Sequence, residues 1–220
     1  MLRLPHSFFL TGTDTGVGKT YLTAQIVRSR RADGIDCVGM KPICCGDRHD
    51  AEILHAAADQ IPSLNVVNPI WLRTPAAPYV ASMIDSQPID LSLLYKAYQR
   101  LRDSHEQVVV EGVGGWRVPI TRDFAVNDLA AELKLPVVVV VSNRLGALNH
   151  CLLTVESIRA SNVNCAGVIL NDAECAPGEG DVAARTNSAV LEELLQVPIL
   201  AKIQHDGEEL HAVRSRNDRS

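Results

Sequence analysis

The segment Phe8–Thr20 reads FFLTGTDTGVGKT and ends in Gly18-Lys19-Thr20, the residue types a phosphate-binding loop needs. The usual spacing is Gly-x4-Gly-Lys-Ser/Thr. Here the position five before Gly18 is Thr13, and the nearest upstream glycine is Gly12. That difference lengthens the loop before Gly16 without removing the anion site. A strand, a glycine-containing turn and a helix starting at Lys19 point backbone N–H groups and the positive end of a helix dipole at one anion. Gly16 and Gly18 allow the backbone conformations that close approach to phosphate demands. Lys19 is then expected to reach the β- and γ-phosphates of a nucleotide, with the Thr20 hydroxyl on Mg2+. A turn that merely starts a helix accounts for the glycines but not for Lys-Thr at the helix start.

Other chemically loaded residues fall at the ends of apolar runs. Glu111 closes QVVVE and precedes Gly112-Val113-Gly114-Gly115. A carboxylate there is costly to bury unless it faces a cation or metal. With Thr20 and Asp50 it makes a hard-oxygen set suited to Mg2+. Asp50 precedes AEILHAAA and also reads as a helix N-cap; Asp47, in the same CCGDRHD loop, is the alternative carboxylate. Lys41 precedes Pro42, so its backbone is held extended. A second lysine facing Lys19 suits a reaction in which negative charge builds on a transferring phosphoryl group; a lysine reaching solvent is the bland alternative. Asn171, after GVIL, can read a donor and an acceptor on a base edge or serve a turn. Gly146 and Asn149 stand at a helix start, which can bind a carboxylate or simply be capped.

The elements that must position these residues follow from short apolar runs without alternation, each followed by a helical-length segment. Strands are expected at Ser7–Thr11, Cys37–Lys41, Val108–Glu111, Val137–Ser142, Ala166–Leu170 and Ile199–Ala201. Helices are expected at Lys19–Arg31, Asp50–Ala58, Leu91–Asp103, Val126–Glu132, Ala147–Ser161 and Val182–Leu195. This succession predicts an α/β fold of the P-loop NTPase type, a mostly parallel sheet with helices on both faces. Ligands of such sheets sit at the carboxyl ends of strands, where Lys19, Thr20, Lys41, Glu111 and Asn171 fall. Ala173–Asp181 reads as a loop from its Pro and Gly residues, and residues 211–220 as a frayed end.

The 220 residues suit one domain spanning 1–220, and 46% apolar content fits a globular core. A net charge of −5 without long runs gives no support for a nucleic-acid or polybasic membrane surface. The longest apolar run, Pro136 to Val141, is too short to cross a bilayer, and MLRLPHSFFL is too short and broken for a secretory signal. Six cysteines without framework spacing suggest reduced thiols in a cytoplasmic protein. Zinc at Cys44, Cys45, His49 and His55 is disfavoured, because adjacent cysteines make poor tetrahedral ligands.

The stretch Gly12-Thr13-Asp14-Thr15-Gly16-Val17-Gly18-Lys19-Thr20 resembles the dethiobiotin synthetase family. The likeness continues, in order, through GMKPICCG, VVVEGVGGWRVP, VVVVVSNRLGALNHCLLT and AGVILND. The resemblance implies an ATP- and Mg2+-dependent ligase that closes a cyclic urea from CO2 and 7,8-diaminopelargonic acid. It implies Lys19 and Lys41 as catalytic cations; Thr20, Asp50 and Glu111 as metal ligands; and Thr15, Gly16, Val17, Gly18, Lys19 and Thr20 around the nucleotide, with Asn171 at the adenine. It also implies Thr15, the Gly16 backbone, Lys41 and Cys45 facing diamine and carbamate. Gly146 and Asn149 would come from the neighbouring subunit of a homodimer to hold the substrate's remote carboxylate. The sequence departs from the family at Cys44-Cys45, where small residues including a serine are usual, at Gln204, where a proline by the base is common, and at Gly16, a variable loop position. Cys45 bonds more weakly than serine would, and Gln204 leaves nucleotide choice open.

Rival classes fit less well. Partitioning-type ATPase switches carry a second lysine in a Lys-Gly-Gly-x-Gly-Lys loop, where this chain has Asp14-Thr15-Gly16. A noncatalytic nucleotide-sensing module would not need Lys19, Lys41, Asp50 and Glu111 together. Amide-forming ligases acting on cobalamin precursors add a glutaminase domain for which 220 residues leave no room.

Overall fold

A computed structural model describes residues 4–172 and 182–203. Six strands form the central sheet: β1 (Phe8–Gly12), β2 (Cys37–Met40), β5 (Gln107–Glu111), β8 (Val137–Ser142), β9 (Cys165–Asn171) and β10 (Ile199–Ile203). Their order is β10-β9-β8-β1-β5-β2, and every pairing is parallel. All residues of β1, β5 and β8 are buried. Their unbroken Val, Phe and Leu content reflects this, since strands covered on both faces need no polar alternation.

Six of the helices are α1 (Lys19–Ala32), α2 (His49–Ala57), α5 (Leu91–Ser104), α6 (Val126–Glu132), α7 (Ala147–Ala160) and α8 (Val182–Leu194). The first three pack on the β1–β5–β2 half, and α7 and α8 on the β8–β9–β10 half. Strand β1 is central. The chain runs from it to the β2 and β5 side first and crosses to β8 afterwards, so the strand order reverses at β1. A crevice opens at such a reversal, outside the carboxyl ends of the strands.

All six expected strands and six expected helices occur, with ends displaced by one or two residues. Two displacements matter. Strand β2 ends at Met40; Lys41 leaves the sheet and its N–H donates to the Val67 carbonyl at 2.9 Å. Helix α2 begins at His49, so Asp50 is not its cap. The Asp47 carboxylate accepts the His49 N–H at 3.1 Å instead, which leaves the Asp50 side chain free for other work.

Six short elements were not expected: β3 (Ile43–Cys45) and β4 (Ile70–Leu72), which pair in parallel, α3 (Leu64–Val67), α4 (Pro78–Ile84), and the antiparallel pair β6 (Pro119–Thr121) and β7 (Phe124–Ala125). Pieces this short carry no readable period. They form the wall around the crevice, with α4 packed on β6 and β3. No helix among the described residues is long and apolar enough to cross a membrane, and the five described cysteines are free. The loop expected at Ala173–Asp181, Gln204 and the expected frayed end lie outside the described residues.

Candidate active site

The loop between β1 and α1 shows why Gly12 serves although it is one residue out of register. A Cβ at Gly12 would lie 2.7 Å from Val17 Cγ2 and 3.1 Å from Lys19 Nζ. The loop folds back so tightly over the end of β1 that only glycine fits. Gly18 takes φ +90° at the N-cap of α1, and no side chain caps that end. Its N–H groups are left for an anion.

Lys19 is buried, and its Nζ donates to the Asp14 carbonyl at 2.9 Å. Burial, and next the charge of Lys41, pull its ammonium down to about 8. Lys41 is also buried, yet it carries two carboxylates. Its Nζ lies 2.6 Å from Glu111 Oε1 and 2.7 Å from Asp50 Oδ2. Burial alone would lower Lys41, but Glu111 and Asp50 outweigh it and raise the ammonium well above its ordinary value. Asp50 is half exposed; burial raises it, while Lys41, Thr20 and Lys19 together hold it below the usual carboxylate range. Glu111 is fully buried at the end of β5, and its Oε1 accepts from Lys41 and, at 2.7 Å, from the Thr20 hydroxyl.

Glu111 Oε2 is buried and has no partner. An orphaned carboxylate oxygen beside a threonine hydroxyl and a second carboxylate is a donor set that fits a hard divalent cation. Among the described residues no three His, Cys, Asp or Glu side chains gather as a metal cluster. The oxygen set suits Mg2+, which takes few protein oxygens and completes its shell with water and phosphate.

A cavity of about 670 Å³ opens on this cluster. Thr15, Gly16, Gly18, Lys19, Thr20, Lys41, Asp47, Asp50 and Glu111 are among the residues that line it. Ile43, Pro75, Ala76, Pro78, Val113 and Val118 line an apolar side. Cys44 and Cys45 border it too, and burial pushes both thiols up to about 11, so they are protonated at neutral pH.

Not every residue singled out from the sequence joins this cavity. Val17 is buried beneath the loop. Asn171 lies behind the loop, its Nδ2 donating to the Val17 carbonyl at 2.9 Å. Gly146, at the N-cap of α7 with φ +92°, and the exposed Asn149 do not line the cavity of their own chain.

One supporting residue went unread. Asn68 is 1% exposed and donates from Nδ2 to the carbonyls of Lys41 at 2.8 Å and Ile70 at 2.9 Å. Its Oδ1 accepts from Arg48 Nε at 2.8 Å. With the Val67 carbonyl on the other side, it clamps the Lys41 main chain. In the sequence it is only an asparagine before Pro69, which reads as a turn.

A parallel sheet reversing at β1, with a phosphate loop there and two lysines across a buried carboxylate, defines a P-loop nucleotide-binding protein. Solved structures share the fold. FtsY, a cell division protein of Thermotoga maritima, superposes with TM-score 0.55 at 15% identity, over 97% of this chain and 68% of that one. MinD, the septum site-determining protein of Pyrococcus horikoshii, does so with TM-score 0.54 at 11% identity, over 91% and 82%. A family model described as an AAA domain matches residues 6–209. The chain is 44% identical to the ATP-dependent dethiobiotin synthetase of Akkermansia muciniphila over 90% of its length and 92% of the relative's. It is 38% identical to the synthetase of Aromatoleum aromaticum, over 91% of each chain. The chain belongs to the family of ATP-dependent dethiobiotin synthetases. It is thus an ATP-dependent ligase.

Proposed function

We propose that the cavity closes the ureido ring of dethiobiotin from 7,8-diaminopelargonic acid and CO2, releasing ADP and phosphate. One amine of the diamine captures CO2 as a carbamate and gives up a proton. A carbamate oxygen takes the γ-phosphoryl group of ATP, breaking its bond to ADP and forming a carbamic-phosphoric anhydride. The second amine attacks the anhydride carbonyl, loses its proton and expels phosphate. No protein nucleophile is needed; positioning and charge neutralisation suffice.

The observation that carries this reading is the position of Lys41: a buried cation shared by Asp50 and Glu111, electrostatically coupled to Lys19 across the same cavity. In this reading the carbamate and the transferring phosphoryl group lie between the two ammonium groups, which neutralise the charge that builds there. The Gly16 and Gly18 main chain and the open end of α1 receive the phosphates. Thr20, Asp50 and Glu111 would hold Mg2+, which would neutralise phosphate charge when bound. Thr15 and Cys45 face the diamine, whose hydrocarbon chain suits the Ile43, Ala76 and Val118 wall. Asn171 contacts the adenine.

Gly146 and Asn149 serve the remote carboxylate of a substrate bound in the other subunit of a homodimer. The exposure of Leu145 beside them fits that arrangement. We read the chain as one domain and the enzyme as cytoplasmic.

The test is ADP release from ATP, Mg2+, bicarbonate and the diamine. Release that requires the diamine is expected. ATP hydrolysis indifferent to the diamine but stimulated by a protein partner would replace this reading with that of a switch.

A further inference from the structure

We propose that Asn171 braces the phosphate loop from behind, so that the end of β9 sets how tightly the loop grips phosphate whatever base is attached. The inference rests on the nucleotide reading above and adds to it a positioning role separate from contact with the base.

The geometry is specific. Asn171 is 4% exposed, and its Nδ2 reaches the Val17 carbonyl from 154 residues away in the chain. A carbonyl only accepts, so the amide nitrogen must face the loop. The Val17–Gly18 peptide is trans, and in a planar trans peptide the C=O and the next N–H point to opposite edges. With the Val17 carbonyl held by Asn171, the Gly18 N–H is turned toward the other side, where Gly18 lines the cavity and Asn171 does not.

The brace is itself anchored. The Asn171 carbonyl accepts the Asn143 N–H at 2.8 Å, and the Asp172 N–H donates to the Ile203 carbonyl at 2.9 Å, so β8 and β10 hold this strand end from both sides. A steric contact accompanies the hydrogen bond. A Cβ at Gly18 would fall on Asn171 Nδ2, far inside contact distance. The amide occupies the space that a side chain on Gly18 would need. Gly18 is therefore favoured twice, for its φ of +90° and because a side chain there would displace the asparagine amide behind it.

The probe that separates a brace from a base reader is inorganic triphosphate with Mg2+, which has no base. By calorimetric titration, Asn171→Ala is expected to weaken its binding about five- to tenfold, the equivalent of one hydrogen bond. Asn171→Asp, which keeps the shape but cannot donate to the carbonyl, should lose as much. Unchanged triphosphate affinity in a folded variant, with only ATP weakened, overturns the proposal and leaves Asn171 as a base contact.

A second measurement needs no ligand. Gly18→Ala is made in the wild type and in Asn171→Ala, and the four thermal midpoints are compared. The backbone strain at Gly18 is common to both and cancels, while the clash with Nδ2 exists only in the wild type. A smaller fall in the Asn171→Ala background is expected; equal falls overturn the brace alone. A wild-type protein that binds neither triphosphate nor ATP overturns the nucleotide reading and this proposal together.

Discussion

Lys41→Met removes the ammonium but keeps most of the side chain's bulk, and its consequences separate into stability and chemistry. In the wild type Glu111 is fully buried and has Lys41 Nζ at 2.6 Å as its cation. The substitution leaves that carboxylate with the Thr20 hydroxyl alone. Breaking a buried pair from one side costs about 3–5 kcal/mol. The other partner adds little, because the Asp50 side chain is 45% exposed and solvent replaces its lost interaction. For a chain of this size each kcal/mol moves the thermal midpoint by about 2–4 °C, so a fall of about 6–20 °C is expected in the ligand-free protein. Lys41→Met/Glu111→Gln removes both charges and should regain most of that loss. Neither variant should turn over substrate, since both lack the cation facing the carbamate. Thermal unfolding by circular dichroism and diamine-dependent ADP release measure the two effects. A single variant melting within about 2 °C of the wild type, or a double variant melting below the single one, would refute the account of the buried pair. Near-normal turnover by Lys41→Met would refute the role given to its ammonium.

Three further outcomes follow from the same geometry. Burial, then the charge of Lys41, hold Lys19 down to about 8 in the free protein, so ATP affinity should fall by about tenfold per pH unit above that value, and Lys19→Arg should level the profile in equilibrium titrations across pH 7–10. The linked stability has the opposite slope: between about 8 and the ordinary 10.5 the unfolded chain binds more protons at this position, so Lys19 makes the free protein more stable as pH rises through that window. Asn68→Ala unclamps the Lys41 main chain without touching the phosphate loop; kcat should fall about tenfold while the KM for ATP stays within about twofold, and equal changes in both, measured by steady-state kinetics, would assign Asn68 a general structural part instead.

Much of this protein is set by neighbours in the chain. The continuous apolar runs FFL and VVVVV specify strands buried on both faces, and α1 starts at Lys19 because Gly16 and Gly18 make a turn there. These are short-range effects of side-chain type and backbone freedom, and they place Lys19, Thr20, Glu111 and Asn171 at the carboxyl ends of their strands before any contact is known. Asp50 reads as the cap of α2 for the same local reason, an aspartate standing before AEILHAAA; only the path of the chain after β3 starts the helix at His49, sets the Asp47 carboxylate on the His49 N–H and turns Asp50 toward Lys41. The rest belongs to contacts between distant segments. Lys41 meets Glu111 across 70 positions, Thr20 meets Glu111 across 91, and Asn171 reaches Val17 across 154. Short segments such as β3, α3 and β4 are too brief to hold their shape alone and form because the packed sheet gives them a surface. Asn68 takes its meaning only from that packing: its amide has the same chemistry in any turn, and the fold alone sets it against the carbonyl of Lys41.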